Sequence, residues 1–332
     1  MAIKPLLITQ DGFISDTTRW AEKRGDVIRR LLETLGQSQA PRNTGQLEVT
    51  SEEELTQYFR RKVWFSTGNT DRIPAWLLVP KGVAFPAPAI LACHQTNDCG
   101  KDEAVGLGGS PHYAYGQELA ERGYVVLVPD VLTVGERIYP GFQQWDSVPF
   151  YAEYPHWSII GKNLEDSRAA LDVLCGLDFV DPERIGVIGH SLGGHNAIFA
   201  AAMDERVHAC VSNCGMSVFS EEEERMEWAL EDGYIFLPSL RSYFLNDRPP
   251  PFDLHEVAAL IAPRPWLNIS AYVDEAYGRQ EFLAQTGVLL HQIYELYQRT
   301  SAFAWQMHGG NHSFPPYVRA GAYAWLDRWL KG

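Results

Sequence analysis

The densest chemistry in the sequence lies in Gly189-His190-Ser191-Leu192-Gly193, a G-x-S-x-G string. It directly follows the apolar run Ile185-Gly186-Val187-Ile188 and directly precedes a small-residue stretch over 192–203. That is the strand–turn–helix setting in which a serine hydroxyl is presented at the top of a sheet. The turn is sharp, so the residues two before and two after the serine must be tiny. The following helix N-terminus offers the Leu192 backbone N–H to a developing oxyanion. A glycine-rich turn with a capping serine would use the same letters, so the partners decide.

A serine hydroxyl is a poor nucleophile at neutral pH and needs a base, which in turn needs an orienting acid. In this setting the chain order is Ser, acid, His. Asp274 follows the apolar run that starts at Trp266, and fits the acid; Glu275 is the fallback. His308 and His312 both lie where the base belongs, in His308-Gly309-Gly310-Asn311-His312. His312 is preferred, because it stands beyond a flexible Gly-Gly and just before the last helix. The i,i+4 spacing of the two could suggest a metal pair, but that needs a helix, which Gly309-Gly310 opposes. A second oxyanion donor belongs in the loop His94-Gln95-Thr96-Asn97-Asp98. The Thr96 N–H is the choice there and Gln95 the alternative. Gly106-Leu107-Gly108-Gly109 lacks the pattern of a dinucleotide site and reads as a flexible loop. The remaining histidines read as packing or surface residues, with His190 set apart by its place beside the nucleophile. Asp130 ends a strand and reads as a structural turn.

The elements that must carry these residues alternate. A helix over the N-terminal stretch shows Trp20, Ile28, Leu31, Leu32 and Leu35 at helical spacing. Ser51-Glu52-Glu53-Glu54 reads as a capping box opening a second short helix. Strands are expected at 63–65 and 75–79, joined by the turn Gly68-Asn69-Thr70-Asp71, and then at 89–93, 124–128, 185–188, 207–211, 266–269 and 303–307. Helices are expected at 113–122, 159–174, 192–203, 279–299 and 317–330. Such alternation predicts an α/β fold with a mostly parallel sheet covered on both faces. Residues 1–61 read as a helical extension and 62–332 as the main domain. Two long connections, at about 131–156 and 215–263, read as lid-like insertions. The first carries Phe142, Trp145, Phe150, Tyr151 and Tyr154, for which a lid core is preferred over sugar stacking. The second contains the run Glu221-Glu222-Glu223-Glu224 and three consecutive prolines.

With 332 residues, the chain can bury a large core without disulfide or metal staples. Its net charge of −14 offers no basic footprint for a phosphate backbone, so nucleic acid is not an expected partner, nor is an anionic membrane. No apolar run approaches membrane-helix length, and the first residues lack the apolar core of a signal peptide. The five cysteines are scattered and read as reduced thiols, which points to the cytoplasm. Zinc at Cys93/Cys99 or Cys210/Cys214 lacks a paired short-spaced set, so no metal is expected.

Together the motifs resemble the serine α/β-hydrolase superfamily, in its dienelactone-hydrolase-like and acetyl-xylan-esterase-like branch. The resemblance spans about 63–330. It rests on Pro88-Ala89-Ile90-Leu91-Ala92-Cys93-His94-Gln95, Gly123-Tyr124-Val125-Val126-Leu127-Val128-Pro129-Asp130, Asp181-Pro182-Glu183-Arg184 running into the serine turn, Ala262-Pro263-Arg264-Pro265, and Asn311-His312-Ser313-Phe314-Pro315. It implies an eight-stranded, mostly parallel sheet and cofactor-free hydrolysis of a small-molecule carboxylic ester. It also implies Ser191 as nucleophile, Asp274 as acid and His312 as base. Two departures stand out: many relatives have His-Gly where this chain has His94-Gln95, and dienelactone hydrolases proper use a cysteine nucleophile. The reading is a serine esterase. The alternatives are a peptidase or amidase of the prolyl-oligopeptidase-like type, and a non-catalytic binder on the same fold. A large gating domain would need more than the roughly sixty residues that precede the first expected strand.

Overall fold

The structure is a computed structural model that describes residues 3–10, 12–36, 47–68, 71–219, 225–276 and 279–332. In chain order, a small hairpin pairs β1 (Ile8–Thr9) with β2 (Gly12–Phe13), and α1 (Thr17–Leu35) follows. Asp16 caps α1 by accepting from the Thr18 and Arg19 N–H groups, and Gly36 closes it. Trp20, Val27, Leu31 and Leu35 seat that helix on the core.

Next come β3 (Glu48–Glu54), β4 (Tyr58–Gly68), β5 (Asp71–Pro80), β6 (Ala87–Cys93), α2 (Lys101–Ala104), α3 (Tyr115–Glu121) and β7 (Val125–Pro129). Then follow α4 (Val148–Glu153), α5 (Ile159–Cys175), β8 (Val180–His190), α6 (Leu192–Met203) and β9 (Ala209–Asn213). The chain continues through α7 (Arg241–Leu245), α8 (Leu254–Ala259), β10 (Trp266–Ala271), α9 (Gln280–Leu296), β11 (Phe303–His308) and α10 (Pro316–Leu330).

Among the described residues one nine-stranded sheet runs in the order β11-β10-β9-β8-β6-β7-β5-β4-β3. The six strands from β6 to β11 are mutually parallel, and β5, β4 and β3 add on antiparallel. Side chains alternate between the two faces: Ala89, Leu91 and Cys93 enter one core, Ile90 and Ala92 the other. The strand order reverses around β6, which has β7 on one side and β8 on the other. The crevice at the carboxyl ends of β6 and β8 is therefore the topological switch point.

Two expectations need correction. The sheet has nine strands rather than eight, and the helix expected from Ser51 is the strand β3. Every residue of β3 is exposed, so it carries no apolar alternation to read. It is held instead by charges placed opposite each other across the antiparallel ladder, Glu52 on Arg61 and Glu53 on Arg60. The boundary expected at residue 61 falls inside β4. Of the turn expected at Gly68-Asn69-Thr70-Asp71, residues 69 and 70 lie outside the described residues, as does the acidic run 221–224.

The two insertions are stitched to each other. Ser147 N–H and Oγ–H both donate to the Gly233 carbonyl, at 3.0 and 2.7 Å, while Ser147 Oγ accepts from Ile235 N–H at 3.0 Å. Phe150 and Trp157 fill the space between, with Tyr139, Tyr151 and Tyr234 around them. Of the aromatics expected in a lid core, Phe150 and Tyr151 pack here, Trp145 packs in a separate cluster, and Phe142 is exposed.

Candidate active site

β8 runs straight into Ser191, whose φ of 53° and ψ of −121° lie in the left-handed half of backbone space. A non-glycine residue there is strained and marks a functional constraint. The spacing of the glycines follows from contact. A Cβ on Gly189 would stand 2.1 Å from the Gly193 carbonyl oxygen, and one on Gly193 would stand 1.9 Å from the Cys93 carbonyl oxygen. The elbow can therefore form only with bare backbone at both positions, which brings the first turn of α6 against the end of β6. Ser191 is half-buried, and its N–H donates to the Asn213 carbonyl at 2.9 Å. The Leu192 amide lies in the first turn of α6, where no intrahelical acceptor exists for it.

Asp274 leaves the end of β10, and His312 leaves the end of β11. Parallel pairing sets β10 beside β11 up to Ala271 and His308. Beyond the ladder the loops stay joined, with Tyr272 N–H donating to the His308 carbonyl at 2.8 Å and Val273 N–H to the Gly310 carbonyl at 3.1 Å. As a result His312 Nδ1 lies 2.8 Å from Asp274 Oδ1, which also accepts from Ala276 N–H at 2.9 Å. Nδ1 donates to this carboxylate, so the lone pair stands on Nε2. Glu275, the fallback acid, accepts from the His312 backbone N–H at 3.1 Å. It grips the loop rather than the imidazole. His308 is buried, and its Nδ1 accepts from Gly310 N–H at 3.2 Å, a structural turn.

His190 joins the Ser191 turn to the His312 loop. Its ring stacks on Tyr113 at 5.0 Å and meets the His312 ring at 4.8 Å. Asn213 Nδ2 donates to His190 Nδ1 at 2.7 Å and to the Ser313 carbonyl at 3.0 Å. One asparagine thus ties the elbow and the base loop together. Sequence reasoning missed Asn213 and Tyr113, because neither carries a motif. The signal for Asn213 was its place at a strand's carboxyl end.

The loop after β6 is buried at His94 and Gln95 and exposed at Thr96. His94 Nε2 accepts from Val131 N–H at 3.2 Å, so its ring proton sits on Nδ1 and donates to the Gln95 carbonyl at 2.8 Å. The Gln95 side chain donates to Glu103. The Asn97 carbonyl accepts from Gln144 Nε2 at 2.8 Å and from Trp145 Nε1 at 3.2 Å, which anchors the first insertion on this loop. Trp145, Tyr234 and Phe236 pack around Leu192, Val131 and Val134. Both insertions therefore reach Leu192, the residue that follows Ser191. Asp130 accepts from the Lys101 N–H at 2.8 Å and Lys101 Nζ at 2.6 Å, a buried structural pair.

Three ligand-type atoms, from Cys214, Asp274 and His312, lie within 4.8 Å of one another. Cys93, Cys99 and Cys210 belong to no such cluster among the described residues. Cys93 is buried, which pushes its thiol up to about 12.

Burial holds His94, His190 and His195 below the usual imidazole range, His195 down to about 3. The unfolded chain takes up protons on these rings below about pH 6.5, whereas the folded chain does not. Stability is therefore fully present above that pH and is lost as pH falls below it. Each ring that stays neutral in the folded chain contributes a slope of up to roughly 1.4 kcal/mol per pH unit. The urea midpoint is expected to be clearly lower at pH 5 than at pH 7. Equal midpoints would contradict the buried, neutral state of these rings.

The sequence model of the Dienelactone hydrolase family matches residues 73–230, and that of Glucuronyl esterase, fungi, matches 167–297. YtaP of Bacillus subtilis (strain 168) is 30% identical over 208 residues, which cover 61% of this chain and 66% of YtaP. The chain thus spans just under two thirds of that relative. Carbohydrate esterase MZ0003, from an unknown prokaryotic organism, is 23% identical over 85% of this chain and 76% of its own length. Among solved structures, the glucuronoyl esterase from Solibacter usitatus superposes with a TM-score of 0.78 at 21% identity, covering 100% of this chain and 98% of that one. The chain has the fold of the glucuronoyl esterase from Solibacter usitatus, and over 73–297 its sequence is similar to the dienelactone hydrolase and fungal glucuronyl esterase families.

Proposed function

We propose that the protein is a serine hydrolase that cleaves a carboxylic ester through an acyl-enzyme, and that the acid half of its substrate is a sugar acid. The observation that carries this reading is the 2.8 Å contact between His312 Nδ1 and Asp274 Oδ1, set beside the strained Ser191 turn. His312 Nε2 takes the Ser191 proton as the hydroxyl oxygen attacks the ester carbonyl. Asp274 holds the imidazole tautomer and stabilises the imidazolium. The Leu192 N–H, with a second donor from Thr96 or Gln95, faces the oxyanion; each such donor is worth about 3 kcal/mol. His312 then returns its proton to the departing alcohol. Water, deprotonated by the same imidazole, releases the acid and frees the serine.

The sugar-acid assignment draws on the likeness to glucuronoyl and carbohydrate esterases, and on the aromatic insertions anchored beside Leu192. The proposed mechanism acts on a small-molecule ester and calls on no cofactor. Three probes test the reading: methyl glucuronate, p-nitrophenyl acetate and an aminoacyl 4-nitroanilide. Both esters are expected to turn over and the anilide to lag by at least about a hundredfold in kcat/KM, roughly 3 kcal/mol of barrier. Methyl glucuronate is expected to outrun other methyl esters of similar size. Faster anilide cleavage would favour the peptidase alternative instead. Equal rates on all methyl esters would remove the sugar-acid assignment while leaving the esterase.

A further inference from the structure

Cys214 sits directly after β9 in an unusual state. Its φ is 47°, a left-handed conformation that glycine favours, yet the residue is a cysteine and is buried. Its N–H donates to the Ile269 carbonyl at 2.8 Å, which locks the turn onto β10. The Cys214 Sγ, an Asp274 carboxylate oxygen and a His312 ring nitrogen all lie within 4.8 Å of one another. One side chain therefore lies beside both Asp274 and His312, on a backbone fixed to the strand that leads to Asp274. A glycine would relieve the backbone strain here, so the strain is retained for what the side chain does.

We propose that Cys214 is a positioning residue of the catalytic apparatus, its S–H donating to Asp274 so that the carboxylate faces His312. A buried carboxylate has about four acceptor positions to satisfy. The His312 ring and the Ala276 N–H take two on Oδ1. The thiol supplies a further donor that needs no charge of its own. Burial and the adjoining carboxylate push the thiol well above its ordinary range, so it stays protonated and keeps donating. The group is thereby a donor and not a second nucleophile.

This inference rests on the Ser191–His312–Asp274 reading, and its test separates the two. Cys214→Gly removes the thiol while suiting the left-handed backbone. The strain relieved offsets part of the packing lost, so the melting temperature is expected to stay close to that of the wild type. Its kcat on p-nitrophenyl acetate is expected to fall about tenfold, the weight of a hydrogen bond to a charged group, with KM unchanged. Cys214→Ser restores a donor and is expected to recover kcat to within about threefold. The low-field proton resonance of the His312 Nδ1–H is expected to shift in the glycine variant and return in the serine variant. A purely structural role would move the melting temperature but leave the kcat of folded protein and this resonance in place. Wild-type kcat in Cys214→Gly overturns the proposal. Wild-type kcat in Asp274→Asn overturns the triad reading itself, and the proposal with it.

Discussion

Ser191→Ala is expected to lower kcat on p-nitrophenyl acetate by about five to six orders of magnitude, the cost of removing the nucleophile of a cooperating triad. The residual rate is set by what remains, the oxyanion donors and substrate binding. The fold is expected to survive. Ser191 is half-buried, its backbone N–H keeps the Asn213 carbonyl, and the Gly189 and Gly193 contacts that shape the elbow do not involve its hydroxyl. Circular dichroism and the melting temperature are therefore the controls. A folded variant that retains a tenth of the activity would remove Ser191 from the chemistry.

Asp274→Asn carries the second largest expected effect. The amide keeps the carboxylate's shape but offers an N–H₂ where His312 Nδ1–H needs an acceptor, which favours the wrong imidazole tautomer. The expected fall in kcat is about 10⁴. Glu275→Gln is the contrast. Its carboxylate touches the His312 backbone and is fully exposed, and a glutamine carbonyl can accept the same N–H. That variant is expected to stay within about threefold of wild type. Reversed results would exchange the two residues' roles. The comparison works because the adjacent acids are separated by function: one orients a ring, the other anchors a loop.

The parts of this account that were legible in the sequence share a cause. Ser191, Asp274 and His312 each follow an apolar strand, and parallel strands deliver their following loops to one edge of the sheet. Reading the strand ends was enough to pair Asp274 with His312 and to set the Ser191 turn at the same edge of the sheet. The elbow was legible because bare backbone is required at Gly189 and Gly193. What stayed hidden lacked such a pattern. β3 is a strand of exposed residues, and its Ser51-Glu52-Glu53-Glu54 stretch imitates a helix start. Its partners lie across a turn on Arg60 and Arg61, and only the antiparallel register makes them visible. Cys214 reads as one more core thiol until its backbone angle and its carboxylate neighbour are seen. The stack of Tyr113 on His190 joins elements far apart in the chain, and no local spacing encodes it.

The most direct measurement is covalent labelling of the intact protein with a fluorophosphonate, read by mass spectrometry. The account predicts one adduct per chain, located on the peptide that contains Ser191, formed in step with loss of esterase activity. It also predicts that Asp274→Asn slows the labelling and Ser191→Ala abolishes it. Full loss of activity with the label on another residue, or an active enzyme that never takes the label, would contradict it.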